Sequence, residues 1–293
     1  MNESLVSVII PTYKRQASIV KRAIASVLCQ TYNNFEVIIV DDSPDEYIYR
    51  SEVENMILLL NSEKVKYIKH DVNKGACAAR NTGIIASRGD FVAFLDDDDE
   101  WLPNKLEKQM SLMDDSDFGL VYCRHFIVDD NKKSIIMDKR MCYKGEVFAK
   151  LIISNFVGST SFVLIRRECI DKVGMFNTEL ESAQDYEMWL RIANFYKITF
   201  ANDPLVKYHI HGDERITSNA EKKIQGLEKV NIIFSDYLAL HKKVKAIRLI
   251  KIVPYYLAVN KHDKAWNTYL AAVKLAPFNI KYNLKYLKRF IKC

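Results

Sequence analysis

Short apolar runs alternate with stretches of helical periodicity over the first hundred residues of the chain. Four runs bounded by polar residues are typical of buried strands and lie at 5–10, 35–40, 65–68 and 91–95. The segments between them either repeat apolar residues at helical spacing or are rich in small residues, and they predict helices at 19–28, 53–60 and 75–87. Strands that alternate with helices in units of this length predict an α/β fold with a doubly wound, mostly parallel, Rossmann-like sheet.

The pattern becomes less regular after residue 118. Further strands are predicted at 119–122, 161–165, 198–200 and 205–208, and a helix is predicted at 186–195. From residue 224 onward the apolar positions have helical spacing. We therefore expect an α/β domain at 1–220, with halves of about 1–100 and 101–220, followed by a helical extension at 221–293.

Charge is distributed unevenly between these two parts. Of 43 basic and 37 acidic side chains in the 293 residues, 13 basic and one acidic lie from His241 to Cys293, which gives +12 there. The remaining residues carry 43 − 13 = 30 basic and 37 − 1 = 36 acidic side chains, or −6. A basic tail favours an anionic partner such as nucleic acid or a membrane surface. No nucleic-acid recognition motif accompanies this charge, so no nucleic-acid partner is expected.

The last segment, 280–293, combines an apolar stripe with flanking Lys and Arg residues. This pattern is typical of an amphipathic helix that lies in an anionic membrane interface, and the alternative is a core helix with solvated lysines. The six cysteines show no paired metal spacing, and no leader or membrane-spanning segment is recognised. We expect a cytoplasmic protein that docks peripherally on the inner face of the plasma membrane through 280–293.

Four consecutive aspartates, Asp96 to Asp99, directly follow the fourth predicted strand. Adjacent carboxylates repel one another, and a divalent cation bound through oxygen ligands relieves that repulsion. Because ligands of α/β sheets bind beyond the carboxyl ends of the strands, the run indicates a metal site at the mouth of the sheet. The alternative is a solvated acidic turn before a helix that starts near Trp101.

Other strand ends carry compatible chemistry. Tyr13 follows the first strand and Asp42 the second, and together they could stack on and hydrogen-bond a nucleobase. Lys74, Arg80 and Asn81 follow the third strand and could face phosphates. The alternatives are that Tyr13 packs in the core and that Asp42 caps the following helix.

Five segments, in this order and spacing, resemble those of the family 2 glycosyltransferases. They are Val6–Tyr13, Val40–Ser43, Asn73–Gly83, Phe94–Trp101 and Gln184–Arg191. The resemblance covers roughly residues 4–215. It implies a GT-A fold with a mixed, mostly parallel sheet flanked by helices, in which 1–220 is the catalytic domain. The first half of that domain would bind the nucleotide and the second half the acceptor.

The resemblance also implies roles for single residues on the nucleotide side. Pro11, Tyr13 and Asp42 would hold the nucleobase and its ribose. Lys74, Gly75 and Arg80 would line the nucleotide pocket.

The same resemblance implies a metal and a base. Asp96 and Asp98 match the family's metal and diphosphate acids, Asp97 would lie near the ribose or donor sugar, and His211 matches a position that closes over the diphosphate or metal. The cofactor would be Mn²⁺ or Mg²⁺. Asp185 matches the general base, although Gln184 stands where the family commonly has Glu, and a helix N-cap is the alternative role for Asp185.

These roles fit one reaction. A positioned carboxylate takes the proton of an acceptor hydroxyl, and a divalent cation neutralises the leaving diphosphate. The expected enzyme is an inverting, metal-dependent, non-processive glycosyltransferase that moves a sugar from a nucleotide-sugar donor, a UDP-sugar in the first instance, to a saccharide or lipid-linked acceptor in bacterial surface polysaccharide synthesis. Specificity would lie in the loops 129–158 and 213–219.

Two other functions remain open at this stage. A sugar nucleotidyltransferase predicts a glycine-rich first loop, which 11–15 lacks. An inactive nucleotide-binding or membrane scaffold predicts loss of the metal acids or of the base, and all of these are present.

Overall fold

The computed structural model describes residues 4–114, 117–129, 133–210 and 219–279. His211, the loop predicted at 213–219 except for Asn219, and the amphipathic segment 280–293 lie outside the described residues. Contacts divide the chain into two compact units. The first comprises Met1–Leu151, Asn155–Thr178 and Met188–His211, and the second comprises Ile152–Ser154, Glu179–Glu187 and Gly212–Cys293. The boundary at residue 220 stays a prediction.

Nine strands are found in the described residues, all in the first unit. They are β1 (Val6–Thr12), β2 (Phe35–Asp41), β3 (Val65–Lys69), β4 (Phe91–Phe94), β5 (Glu100–Trp101), β6 (Phe118–Asp129), β7 (Ser134–Met137), β8 (Leu164–Arg166) and β9 (Lys197–Ile210).

Helices connect these strands and form the described C-terminal part of the chain. They are α1 (Ala17–Leu28), α2 (Arg50–Leu59), α3 (Ala76–Ala86), α4 (Lys105–Met110), α5 (Phe148–Leu151), α6 (Arg167–Val173), α7 (Gln184–Ala193), α8 (Ala220–Ile233), α9 (Ser235–Leu240), α10 (Lys242–Ala258) and α11 (His262–Leu275). A 3₁₀ turn covers Thr160–Phe162.

The strands form a mixed sheet in the order β3-β2-β1-β4-β8-β6-β9-β5, with β7 beside β6. The first four strands pair in parallel, as does β6 with β9. Pairing is antiparallel between β4 and β8, β8 and β6, β6 and β7, and β5 and β9. The α/β fold with a mixed, mostly parallel sheet is thus confirmed.

Parallel pairing aligns the carboxyl ends of the first four strands at one edge of the sheet. Thr12 pairs with Asp41, and Ile9 pairs with Phe94, so the segments that follow these strands start from the same edge. The strand interiors are fully buried, as the unbroken apolar runs predict for strands covered on both faces. The rigid sheet therefore fixes where the polar strand ends begin.

The structure differs from the sequence-based expectations in several elements. Trp101 lies in β5, opposite β9, and the next helix begins only at Lys105. The strand predicted at 161–165 is a 3₁₀ turn followed by β8. The two strands predicted at 198–200 and 205–208 are the single strand β9. Asn202 and Asp203 interrupt the apolar pattern, and register shifts against β6 accommodate them within the strand.

The described helices of the second unit have their own core. Its central residues are Ile224 of α8, Ile250 and Val253 of α10, and Ala265 and Tyr269 of α11, each at most 6% exposed. Among the described residues, no helix has the length and apolar composition needed to cross a bilayer.

Candidate active site

The four aspartates after β4 divide into two pairs by burial. Asp97 is 6% exposed and Asp99 is fully buried, whereas the side chains of Asp96 and Asp98 keep 28% and 23% of their surface exposed. Burial of a carboxylate requires hydrogen bonds or a positive charge nearby. Each of the four carboxylates has such partners, so none is a merely solvated turn residue.

Asp96 is held by an arginine and by hydroxyl groups from a distant segment. The Arg80 guanidinium on α3 donates to Asp96 Oδ1 at 2.7 Å. Thr160 Oγ1 donates to the same oxygen at 3.0 Å, and Ser159 Oγ donates to Oδ2 at 3.2 Å. The Asp96 amide also donates to Ser161 Oγ at 3.1 Å. The antiparallel pairing of β8 with β4 explains this proximity, because the residues before β8 run beside the residues after β4.

Asp97 and Asp98 share one arginine from the segment after β1. Arg15 Nε donates to Asp97 Oδ1 at 2.9 Å, and its Nη2 donates to Asp98 Oδ2 at 2.8 Å. The Thr12 hydroxyl donates to Asp97 Oδ2 at 2.8 Å, and Arg22 on α1 donates to the Asp98 carbonyl at 2.7 Å. These cations offset part of the repulsion within the run.

Asp99 joins the run to β9 from inside the protein. Ser161 Oγ donates to its Oδ2 at 2.6 Å, and the His209 amide donates to its Oδ1 at 3.1 Å. The His209 ring is 2.8 Å from Glu100 Oε1, and the residue is 6% exposed, so His209 is packed within its strand.

Burial raises the pKa values of two of these acids. The pKa of Asp97 rises to about 6 because burial outweighs the attraction of Arg15. The pKa of Asp99 is raised well above its ordinary value by burial and by the neighbouring charges of Asp96 and Asp98. Burial thus disfavours the charged forms of Asp97 and Asp99.

Asp42, at the end of β2, is surrounded by donors. Its Oδ1 lies 2.7 Å from His70 Nδ1 and accepts the Lys74 amide at 2.8 Å, while its Oδ2 accepts the Gly75 amide at 2.8 Å. Gly75 precedes α3 with φ = 86°, a conformation that side chains other than glycine rarely adopt. The other nitrogen of His70 is 2.9 Å from the Thr82 hydroxyl. Lys74 contacts Asp42 through its backbone amide.

Pro11 and Tyr13 lie beside this acid at the end of β1. Pro11 pairs with Val40, one residue before Asp41. The Tyr13 ring is 43% exposed, with the Lys14 ammonium 5.4 Å from its centroid. Tyr13 is not packed in the core, so its ring is accessible for stacking.

Asp185 belongs to the second unit and lies in the first turn of α7. Its Oδ1 accepts the Tyr186 amide at 2.6 Å. The Tyr186 hydroxyl donates to the Ile152 carbonyl at 2.7 Å and accepts from Arg248 of α10 at 2.6 Å. The buried Arg248 guanidinium also donates to the Ile152 carbonyl at 2.6 Å. The turn that carries Asp185 is thereby tied to the described helices of its own unit.

The donor set at the strand edge suits a hard divalent cation. Among the described residues, no group of three His, Cys, Asp or Glu side chains is arranged to hold a metal ion. Mg²⁺ is usually bound by one or two carboxylates together with substrate phosphates rather than by a complete protein cage. The partly exposed carboxylates of Asp96 and Asp98 carry oxygen atoms of this chemical type.

Sequence reasoning missed several side chains at this edge. His70 directly follows β3, and its position at a strand end was the available signal. For Arg15 the only available signal was its proximity to Tyr13. No sequence pattern indicated a role for Ser159, Thr160 and Ser161, because their contact with the acids depends on the antiparallel placement of β8.

The sequence is similar to those of known glycosyltransferases. The model of the family described as Glycosyl transferase family 2 matches residues 7–174. A relative in Escherichia coli K12, named as the putative colanic acid biosynthesis glycosyl transferase WcaA, is 32% identical over 94% of this chain and 95% of its own length. The Escherichia coli protein WfgD, named as a UDP-Glc:alpha-D-GlcNAc-diphosphoundecaprenol beta-1,3-glucosyltransferase, is 30% identical over 77% of this chain and 84% of its own.

A solved structure shares the fold. It is the mannosyltransferase PcManGT from Pyrobaculum calidifontis in complex with GDP-Man and Mn²⁺. The TM-score is 0.62 at 18% identity, with 92% of this chain and 75% of that chain covered.

Proposed function

This chain belongs to glycosyl transferase family 2, and on that basis we propose that it transfers a sugar, with inversion, from a UDP-sugar to a hydroxyl of a saccharide or lipid-linked acceptor in the synthesis of a cell-surface polysaccharide. The observation that carries the proposal is the arrangement of Asp96 and Asp98. Both carboxylates remain partly exposed at the edge where α/β sheets bind ligands, while Asp97 and Asp99 are buried beneath them.

The nucleotide would bind across the ends of β1 and β2. The exposed Tyr13 ring offers a stacking face for the base, and Pro11 lies at the same strand end. A carboxylate has about four lone-pair sites, of which Asp42 uses three for His70, Lys74 and Gly75. The remaining site would accept an N–H of the base. This carboxylate is already oriented before the nucleotide arrives.

The diphosphate would lie over Asp96 and Asp98. In our proposal these two acids hold Mn²⁺ or Mg²⁺, which when bound neutralises charge on the departing diphosphate. Arg80 supplies a further cation beside Asp96, and Asp97 lies between the two acids towards Thr12 of β1. The proposed contribution of His211 concerns a residue outside the described part of the chain.

Asp185 would act as the general base. An acceptor hydroxyl is a weak nucleophile until a carboxylate removes its proton in the transition state. The anchoring of Tyr186 by Arg248 and by the Ile152 carbonyl holds the turn on which Asp185 lies. With one base and one leaving group, direct displacement inverts the anomeric centre, and no carboxylate is needed as a covalent nucleophile.

The substrate class is taken from relatives. WfgD carries in its name a UDP-glucose donor and a diphosphoundecaprenol-linked acceptor, and WcaA is named for colanic acid biosynthesis. A UDP-sugar and a lipid-linked saccharide are therefore the first substrates to test. PcManGT was solved with GDP-Man, so GDP is the nucleotide to compare with UDP.

Titration calorimetry with UDP and GDP, with and without Mn²⁺, tests the proposal. We expect UDP to bind in the presence of Mn²⁺ and Asp98→Asn to weaken that binding at least tenfold. Asp203→Asn is a matched control, because Asp203 is an exposed acid of the same unit that pairs with Lys108. Tighter binding of GDP would replace the UDP-sugar by a GDP-sugar. If neither UDP nor GDP bound, the proposal would be contradicted.

Transfer itself is tested with UDP-sugars and a synthetic lipid diphosphate acceptor. The expected product has the anomeric configuration opposite to that of the donor, which NMR of the new linkage measures. Retention of configuration would refute the direct displacement. Asp185→Asn should abolish turnover while nucleotide binding persists.

A further inference from the structure

Three successive backbone carbonyls immediately before β8 are each contacted by a side chain from the segment 101–109. Trp101 Nε1 donates to the Ser161 carbonyl at 2.9 Å. Gln109 Nε2 donates to the Phe162 carbonyl at 2.8 Å, and Lys105 Nζ lies 3.5 Å from the Val163 carbonyl. Three donors spaced four residues apart thus fix the path of one short backbone segment.

The hydroxyl groups that hold the acids lie at the first residue of this segment and at the two residues before it. Ser159 and Thr160 donate to Asp96, and Ser161 donates to Asp99. Because Ser161 belongs to both sets and Thr160 and Ser159 directly precede it, a shift of the anchored backbone would displace the hydroxyls as well. The position of Asp96 is therefore coupled to the donors on the opposite side of the segment.

Lys105 is an unexpected residue at such a place. It is fully buried, and its ammonium group contacts neutral partners: Gln109 Oε1 at 2.6 Å, the Val163 carbonyl, and the face of the Trp101 ring at 3.9 Å. Burial lowers the pKa of this amine to about 7. Burying an amine without a carboxylate is costly, and an apolar side chain would fill the same space at lower cost.

Gln109 completes the arrangement. It is also fully buried, accepts from Lys105 through Oε1, and uses Nε2 for Phe162 and, at 3.4 Å, for the Val121 carbonyl. The amide is thus oriented by Lys105, because only one of its two orientations places the oxygen towards the amine. Lys105 and Gln109 act as a pair.

We propose that Lys105 and Gln109 are positioning residues for the nucleotide site, because they fix the backbone at 162–163, directly after the residues whose hydroxyls hold the acids. The hydroxyls of residues 159–161 then keep Asp96 and Asp99 in the geometry that receives the diphosphate. This inference rests on the proposed function. It assigns a binding role to a buried pair that touches neither nucleotide nor acceptor.

The test compares two near-isosteric variants with a core control from the same helix. Lys105→Met removes the amine, and Gln109→Glu keeps the acceptor for Lys105 but replaces the donor to Phe162. Leu106→Ala creates a cavity at a fully buried position of α4 that makes none of these side-chain hydrogen bonds. The dissociation constant of UDP with Mn²⁺ is measured by calorimetry at a temperature where all four proteins are folded. The KM for UDP-sugar is measured in parallel.

We expect both pair variants to raise the dissociation constant about tenfold, equivalent to about 1.4 kcal/mol. The KM for the donor should rise with it, whereas Leu106→Ala should lower the melting temperature and leave both constants within twofold of wild type. Pair variants that bind as tightly as wild type would overturn the inference while the proposed function stands. A parallel loss in Leu106→Ala would reduce the pair to a purely structural role and also overturn it. Wild-type protein that binds neither UDP nor GDP would overturn both.

Discussion

Replacing Lys105 by Met should change the free energy of unfolding by an amount that depends on pH. The pKa of the buried amine falls from an ordinary value of 10.5 to about 7, and burial is the cause. The unfolded chain therefore keeps the proton up to about pH 10.5, while the folded chain releases it near pH 7. Between these values the unfolded state binds more protons, so this group makes the wild type more stable as pH rises.

The magnitude follows from the size of the shift. Each pKa unit corresponds to about 1.4 kcal/mol, so from pH 7.5 to pH 10 the wild type should gain about 3 kcal/mol that the Met variant lacks. The variant also leaves Gln109 Oε1 without its Lys105 donor, at a cost of about 1–3 kcal/mol that does not vary with pH. The variant should be at least as stable as wild type near pH 7.5 and less stable near pH 10.

Urea denaturation followed by circular dichroism at pH 7.5, 8.5, 9.5 and 10 measures the difference. The thiol of Cys123, the titratable group that interacts with the amine, has its pKa raised to about 12 by burial and stays neutral throughout. Leu106→Ala provides the comparison, since its deficit should be the same at every pH. A Lys105→Met difference that stays constant with pH would refute the reasoning, because the amine would then have an ordinary pKa in the folded protein.

Four further changes have expected outcomes. Gly75→Ala and Gly145→Ala each place a Cβ in open space, at φ = 86° and 95°, so each should lower the free energy of unfolding by about 1 kcal/mol, measured by heat or urea. Only Gly75→Ala should weaken UDP binding, because Gly75 donates to Asp42. Equal UDP binding by both variants would contradict this expectation. Arg248→Leu removes the arginine donor from the Tyr186 hydroxyl and one of the two donors from the buried Ile152 carbonyl, so it should lower the free energy of unfolding by about 2–4 kcal/mol. An unchanged urea midpoint would contradict this expectation. Truncation before Ile280 should abolish flotation of the protein with anionic liposomes, and equal flotation of both forms would dismiss a membrane role for 280–293.

Local sequence patterns were sufficient for most of the first unit. The apolar runs of β1, β2 and β4 end in polar residues, and because parallel strands end at the same edge of a sheet, the pattern predicts that Tyr13, Asp42 and Asp96 lie at that edge. A buried strand can be recognised from its own residues, so the run of apolar positions along it is sufficient to predict it. Membership of the family was likewise recognised from five short segments.

Patterns failed where the contact depends on pairing between distant strands. The hydroxyls of Ser159 and Thr160 reach Asp96 only because β8 runs antiparallel to β4, a choice that no local periodicity encodes. Lys105 and Gln109 carry polar side chains into full burial, against the rule by which buried positions are recognised. Residues of this kind are found only when their hydrogen-bond partners are known.

The anchored backbone at 161–163 also limits how specificity could be redesigned. Exchanging the segment 129–158 for that of a relative is an obvious route to a new acceptor preference. Gly158 would mark the downstream junction of such a graft. At this junction φ is 91°, and a Cβ would come within 2.8 Å of the Phe162 ring. A graft that supplies any other residue there would strain the turn and press on the segment that holds Asp96, so donor affinity would be lost along with the old acceptor. Transplants that keep this glycine leave the donor site intact and can be screened for acceptor choice alone.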